Sequence, residues 1–210
     1  MYDAFLFDLD GTLTDNSQGI TNSVRHALKY YGIEAENKDL LGFIGPPLYE
    51  SFEKYYDIKD GHKAVEHYRE YYRDKGIFEN RVYEGIPEAL EALKKAGKKL
   101  YVATSKPEDF ARAILDHFEL SPYFEGIYGA TMDSSRVAKP DIIAFLLQEH
   151  PDIQNPIMIG DREHDILGAN ENDIASAGVL YGFGSKEELE NAGADYILAR
   201  PENLPELLQD

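Results

Sequence analysis

From Gly85 to the C-terminus the chain repeats one grammar: an amphipathic stretch of helical period, a turn, then a short apolar run. "GIPEALEALKKAG" leads to "KLYVAT", "PEDFARAILDHF" to "GIYGAT", "KPDIIAFLLQEH" to "PIMIG", and "HDILGANEND" to "SAGVLYG". "SKEELENAG", "DYIL" and a last helix near "NLPELLQ" follow. Pro87 suits a first helical turn and Gly97 the position just past a helix end. Strands separated by helices point to a mostly parallel sheet covered on both faces. The predicted fold is α/β, a Rossmann-like doubly wound parallel sheet, with Ala4 to Leu9 as its first strand.

Between that first strand and the repeating part the pattern is different. "SQGITNSVRHALKYYG" places Ile20, Val24, Ala27, Leu28 and Tyr31 at helical spacing before Gly32. "PPLYESFEKYY" and "HKAVEHYREYYRDKG" read as further helices, the latter stopped at Gly76, and no clear strand occurs before Val82. The predicted organisation is an α/β core of residues 1–15 and 81–210 interrupted by a helical domain of residues 16–80. Charge follows the same division: residues 16–80 hold 9 Lys/Arg against 11 Asp/Glu, leaving 12 against 28 elsewhere.

The net charge of −18 argues against a long nucleic-acid partner, whose binding requires many cations. It leaves room for a small anion where a metal and a few placed lysines reverse the local sign. With no cysteine, disulfides and thiolate metal sites are excluded. No apolar run is long enough for a membrane helix, and the N-terminus lacks a secretory leader, so a cytoplasmic location is expected.

"FLFDLDGTLTD" ends the first apolar run with Asp8 and Asp10, two acids on one side of a strand end. Carboxyl ends of parallel strands are where α/β sheets place ligands, and Gly11 lets the chain turn there. Other polar residues start where later strands should end: Thr104 and Ser105 in "ATSK", Lys139 in "AKPD", Asp161 and Asp165 in "GDREHD". Each alone has a bland explanation as a polar loop, a solvated lysine or a helix cap. Together they form a set. Converging carboxylates require a hard cation, and oxygen-only ligands favour Mg²⁺. Lys139 and the Thr104 hydroxyl suit phosphate oxygens.

"DLDGTLTD", Thr104, Lys139 and "GDREHD", in that order, resemble the four motifs of the haloacid dehalogenase superfamily of phosphatases. The helical insert resembles that family's C1 cap. "GFIGPPL" and "VYEGIPEAL" resemble the branch of phosphoglycolate phosphatases and related nucleotidases. Asn16 departs from the pattern, since serine often follows the first motif. The resemblance implies Asp8 as nucleophile and Asp10 as acid–base. It further implies Mg²⁺ on Asp8, Asp161 and the Asp10 backbone carbonyl, with Asp165 behind them. Thr104, Ser105 and Lys139 would bind the phosphoryl group. Gly45, Pro46 and Pro47 would form a loop over the leaving group.

The expected activity is hydrolysis of a small phosphorylated metabolite, with phosphoglycolate as first expectation and 5'-nucleotides or pyrophosphate as alternatives. A phospho-accepting receiver module is the rival from another class, disfavoured by the insert and by an acceptor on the first strand. A dehalogenase would need neither Asp10 nor the metal acids. Oligomeric state is open. Eight tyrosines of the insert are read mainly as packing, and Arg25, Arg69 and Arg73 as solvated. His164 reads as exposed. "GFG" at Gly182 to Gly184 lacks the rest of a dinucleotide fingerprint and reads as a turn.

Overall fold

The computed structural model describes residues 1–44, 48–131 and 135–209. Strands β1 (Ala4–Phe7), β4 (Lys99–Pro107), β5 (Gly126–Ala130), β6 (Pro156–Gly160), β7 (Ala175–Val179) and β8 (Tyr196–Leu198) form one sheet. Its order is β5-β4-β1-β6-β7-β8, and every pairing is parallel. The order reverses direction at β1, so the carboxyl end of β1 is the switch point of a doubly wound sheet. Residues of β1 and β6 are wholly buried, as a sheet covered on both faces requires. Ala4, Leu6, Tyr101, Ala103 and Met158 pack with Ile142, Ile143 and Leu146 of α6 (Lys139–Glu149).

The chain divides into two compact units, Met1–Thr14 with Val82–Asp210, and Asp15–Arg81. In the first, α4 (Ile86–Lys95), α5 (Glu108–His117), α6, α7 (Glu163–Glu171) and α8 (Lys186–Asn191) connect the strands. In the second, α1 (Ser17–Tyr30) packs on α3 (Gly61–Asp74), and α2 (Leu48–Tyr56) also contacts α3. Val24, Ala27, Leu28, Phe43, Phe52 and Ala64 are buried within this helical unit. Gly32, at φ +68°, takes the left-handed turn that follows α1. A short ribbon of β2 (Thr14–Asp15) and β3 (Arg81–Val82) was not anticipated from the sequence.

Three local departures have physical causes. The first strand ends at Phe7, not Leu9, because the Leu9 carbonyl accepts from the amides of Thr12, Leu13 and Thr14 and pulls the chain into a turn. The segment near "NLPELLQ" is a 3-10 run, Pro201–Leu208, since Pro205 has no N–H for an α-helical bond. β4 continues beyond Thr104 to Pro107, with its register against β5 shifting between Ala103 and Pro107.

Candidate active site

Register assembles the site. Phe7 lies opposite Val102 on one side and Ile159 on the other, and the Asp8 amide continues the ladder to the Ile159 carbonyl at 2.9 Å. Asp8 therefore meets the ends of both neighbouring strands. Lys139, the first residue of α6, is 4% exposed and reaches into this end of the sheet. Its ammonium lies 2.8 Å from Asp8 Oδ1, 2.8 Å from Asp165 Oδ1 and 2.9 Å from the Ala103 carbonyl. The contacts with Asp8 and Ala103 are hydrogen bonds, and that with Asp165 is an ion pair. Its stem passes over Gly168 of α7, where an added Cβ would stand 2.8 Å from Lys139 Cγ. Burial alone would lower the lysine pKa, but the Asp165 and Asp8 carboxylates outweigh it and hold the ammonium firmly charged.

Asp165 is placed by the start of α7. It lies at the third helical position, and its Oδ2 accepts the Arg162 amide at 3.1 Å, one half of a capping box. Asp161 follows β6 and is fully buried. Its Oδ2 accepts the Phe183 amide at 2.8 Å, and its Oδ1 lies 3.4 Å from the Thr12 hydroxyl. Burial, with the Asp165 and Asp8 charges beside it, pushes the Asp161 pKa up to about 8. Carboxylate oxygens of Asp8, Asp161 and Asp165 lie within 4.8 Å of one another. Three buried acids against one lysine form an all-oxygen donor set short of positive charge, which fits a hard divalent cation such as Mg²⁺.

Asp10 separates from this cluster. It stands beyond the strand, in a bridge to Thr14, and its Oδ2 pairs with Lys106 Nζ at 2.5 Å. Its Oδ1 is buried without a partner. Asp8 and Asp10 thus sit beside different lysines. Burial raises the Asp10 pKa, opposed by Lys106 and reinforced by Asp8. Lys106 escaped the sequence reading; the signal available was its place two residues after Thr104 in an extended segment.

Thr104 is 1% exposed and its hydroxyl accepts the Lys106 amide at 3.3 Å, whereas Ser105 is exposed. Gly45, Pro46 and Pro47 lie outside the described residues. His164 is exposed. Asn16 is buried, and neither its amide oxygen nor its nitrogen has a hydrogen-bond partner. In the helical unit, Arg69 and Arg73 are exposed, while Arg25 donates to Asn22 Oδ1 at 2.7 Å and the Ala35 carbonyl at 3.3 Å. Packing accounts for fewer of the tyrosines than expected. Tyr68 and Tyr72 are buried, but Tyr30, Tyr31, Tyr49 and Tyr55 are exposed. Gly182 to Gly184 is more than a turn. It lies against Asp161, a proximity between distant segments that no local pattern signals.

Residues 5–179 match the family model of haloacid dehalogenase-like hydrolases. The chain is 50% identical over 192 residues to a 5'-nucleotidase of Pseudomonas aeruginosa, covering 90% of this chain and 87% of that protein. It is 39% identical over 194 residues to the tyrosine-protein kinase PtkA of Mycobacterium tuberculosis, covering 91% of this chain and 67% of that protein. A phosphoglycolate phosphatase of Aquifex aeolicus is 31% identical over 209 residues, covering 98% of this chain and 96% of its own. Among solved structures, that of a predicted phosphatase from Clostridium acetobutylicum superposes with a TM-score of 0.90 at 45% identity, covering all of both chains. With a family model spanning most of the chain and a relative identical at half its aligned positions, the chain belongs to the haloacid dehalogenase-like hydrolase family.

Proposed function

We propose that this protein is a Mg²⁺-dependent phosphatase that cleaves small phosphomonoesters through an aspartyl-phosphate formed on Asp8. That it is a hydrolase acting on phosphate esters follows from its family and its named relatives. The observation that carries the finer reading is Asp8 itself. One of its oxygens is fixed 2.8 Å from the Lys139 ammonium, and Asp161 and Asp165 stand within metal-sharing distance.

Asp8 attacks phosphorus in line. The new carboxyl O–P bond forms as the ester O–P bond breaks, and Asp10 gives its proton to the departing oxygen. Water then attacks the aspartyl-phosphate, Asp10 takes its proton, and the Asp8 O–P bond breaks to release phosphate. Thr104 and Lys139 bind the transferring group, and Lys139 also stops Asp8 from rotating. Lys106 fixes the Asp10 carboxyl and balances its charge when the proton has left. Asp8, Asp161 and the Asp10 carbonyl, with Asp165 behind them, would hold the cation, which when bound would supply charge neutralisation on the phosphoryl oxygens.

Nucleoside 5'-monophosphates become the favoured substrates, ahead of phosphoglycolate, because the 5'-nucleotidase relative is 50% identical and the phosphoglycolate phosphatase 31%. The test is kcat/KM with Mg²⁺ for 5'-nucleotides, phosphoglycolate, sugar phosphates and pyrophosphate. Nucleotides are expected to lead, and excess chelator to stop hydrolysis. Pyrophosphate in first place would move the reading to a pyrophosphatase, and activity persisting in chelator would overturn the cation's role. Transfer of phosphate from ATP to a tyrosine peptide, without hydrolysis of any monoester, would replace the reading by a kinase.

A stability experiment reads the same site without substrate. Asp161 holds its proton more tightly folded, with a pKa of about 8, than in the unfolded chain, where it is about 3.9. Its contribution to metal-free stability is therefore fully present below about pH 4 and lost as pH rises towards 8. A bound cation favours the ionised form. The thermal shift produced by Mg²⁺ should accordingly grow from pH 5 to pH 8, and a shift that is constant across that range would contradict it.

A further inference from the structure

Asp161 is enclosed by backbone. On one side lies Gly11, at φ +88°, where an added Cβ would collide with the Asp161 carboxyl group. On the other lies Gly182, where a Cβ would fall against both the Gly11 carbonyl and the Asp161 side chain. A Cβ on Gly184 would strike the Asp161 carbonyl. Between these two glycines the Phe183 amide donates to Asp161 Oδ2 at 2.8 Å. Both glycines of the turn thus allow an approach that no other residue permits, and the donor between them reaches the acid.

A buried carboxylate with neighbouring negative charges is poorly determined unless its lone pairs are fixed. Here one oxygen is held by an amide that cannot rotate away. The other has the Thr12 hydroxyl at 3.4 Å, a longer and looser contact. Groups that orient a ligand govern affinity for a cation almost as strongly as the ligands do.

We infer that the Gly182–Gly184 turn is a positioning element of the cation site, which fixes the rotamer of Asp161 through the Phe183 amide and thereby sets cation affinity. This rests on the reading of Asp8, Asp161 and Asp165 as a cation site. It adds to that site a segment that binds neither metal nor substrate. Gly182→Ala pushes the turn away from Asp161 and lengthens the amide contact, so Asp161 gains rotational freedom and the site is no longer formed in advance.

The experiment is calorimetric titration of Mg²⁺ into the unmutated protein and into Gly182→Ala, with circular dichroism to verify folding. The variant is expected to bind Mg²⁺ at least about tenfold more weakly, and to recover much of its kcat at high Mg²⁺. An unchanged Kd with a lowered Tm would reduce the turn to a purely structural role and overturn the inference. Absence of binding by the unmutated protein would overturn the cation site together with this inference. Should Gly182→Ala fail to fold, ¹H–¹⁵N spectra of the unmutated chain decide. The Phe183 amide should then shift along the Mg²⁺ binding isotherm, and a resonance that stays fixed while Mg²⁺ binds would overturn the inference.

Discussion

Asp8→Asn is expected to lower kcat by at least about a thousand-fold, the scale on which removal of an essential nucleophile acts, while the protein stays folded. The substitution keeps the shape of the side chain, and its amide oxygen can still accept from Lys139, which lies 2.8 Å from Asp8 Oδ1. Lys139 also retains the Asp165 carboxylate and the Ala103 carbonyl. What disappears is the anionic oxygen that would attack phosphorus, and with it the covalent route. Trapping the aspartyl-phosphate by rapid acid quench with a ³²P-labelled monoester should give label on the unmutated chain and none on the variant. Turnover near that of the unmutated protein would remove Asp8 from the nucleophile's role.

The largest effect on stability is expected from Lys139→Met. The lysine side chain is 3% exposed and the carboxylates it faces, Asp8 and Asp165, are 12% and 2% exposed. Methionine preserves much of the stem over Gly168 but leaves the acids without their cation. Removing one member of a buried charged group costs about 3–5 kcal/mol, mainly as the penalty of the unpaired charge left behind. A fall in Tm on the order of 10 °C follows for a chain of this size. Turnover should also be lost, since the same ammonium is proposed to bind the phosphoryl group. Mg²⁺ should restore part of the lost stability, because it supplies positive charge to the same carboxylates. A Tm unchanged in the absence of metal would show that the acids do not depend on this lysine.

The fold was legible because its signals are local: helical period from Ile86 to Lys95, apolar runs such as "PIMIG", and Pro87 and Gly97 at helix ends. Asp8, Lys139, Asp161 and Asp165 were also legible, since parallel strands bring their carboxyl ends to one edge whatever the connecting helices contain. Contacts that depend on how far an element continues were hidden. Lys106 meets Asp10 because β4 runs on past Thr104, and nothing in "ATSK" fixes that length. Strand alternation grouped Asp8 with Asp10, but the hydrogen bonds closing on the Leu9 carbonyl take Asp10 out of the strand. Gly182 and Gly184 were read as a turn because a glycine that admits a distant side chain looks no different from one that merely bends the chain.

The central position of β1 has a consequence for synthesis. Its neighbours in the sheet are residues 99–102 and 156–159, so the apolar "AFLF" segment leaves the ribosome long before either edge can be covered. Until residues 99–102 have emerged this stretch can only wait or find a wrong partner, and its second edge stays open until residues 156–159 follow. The strand that leads into Asp8 is thus left with both edges open while the whole helical unit and α4 are still being made.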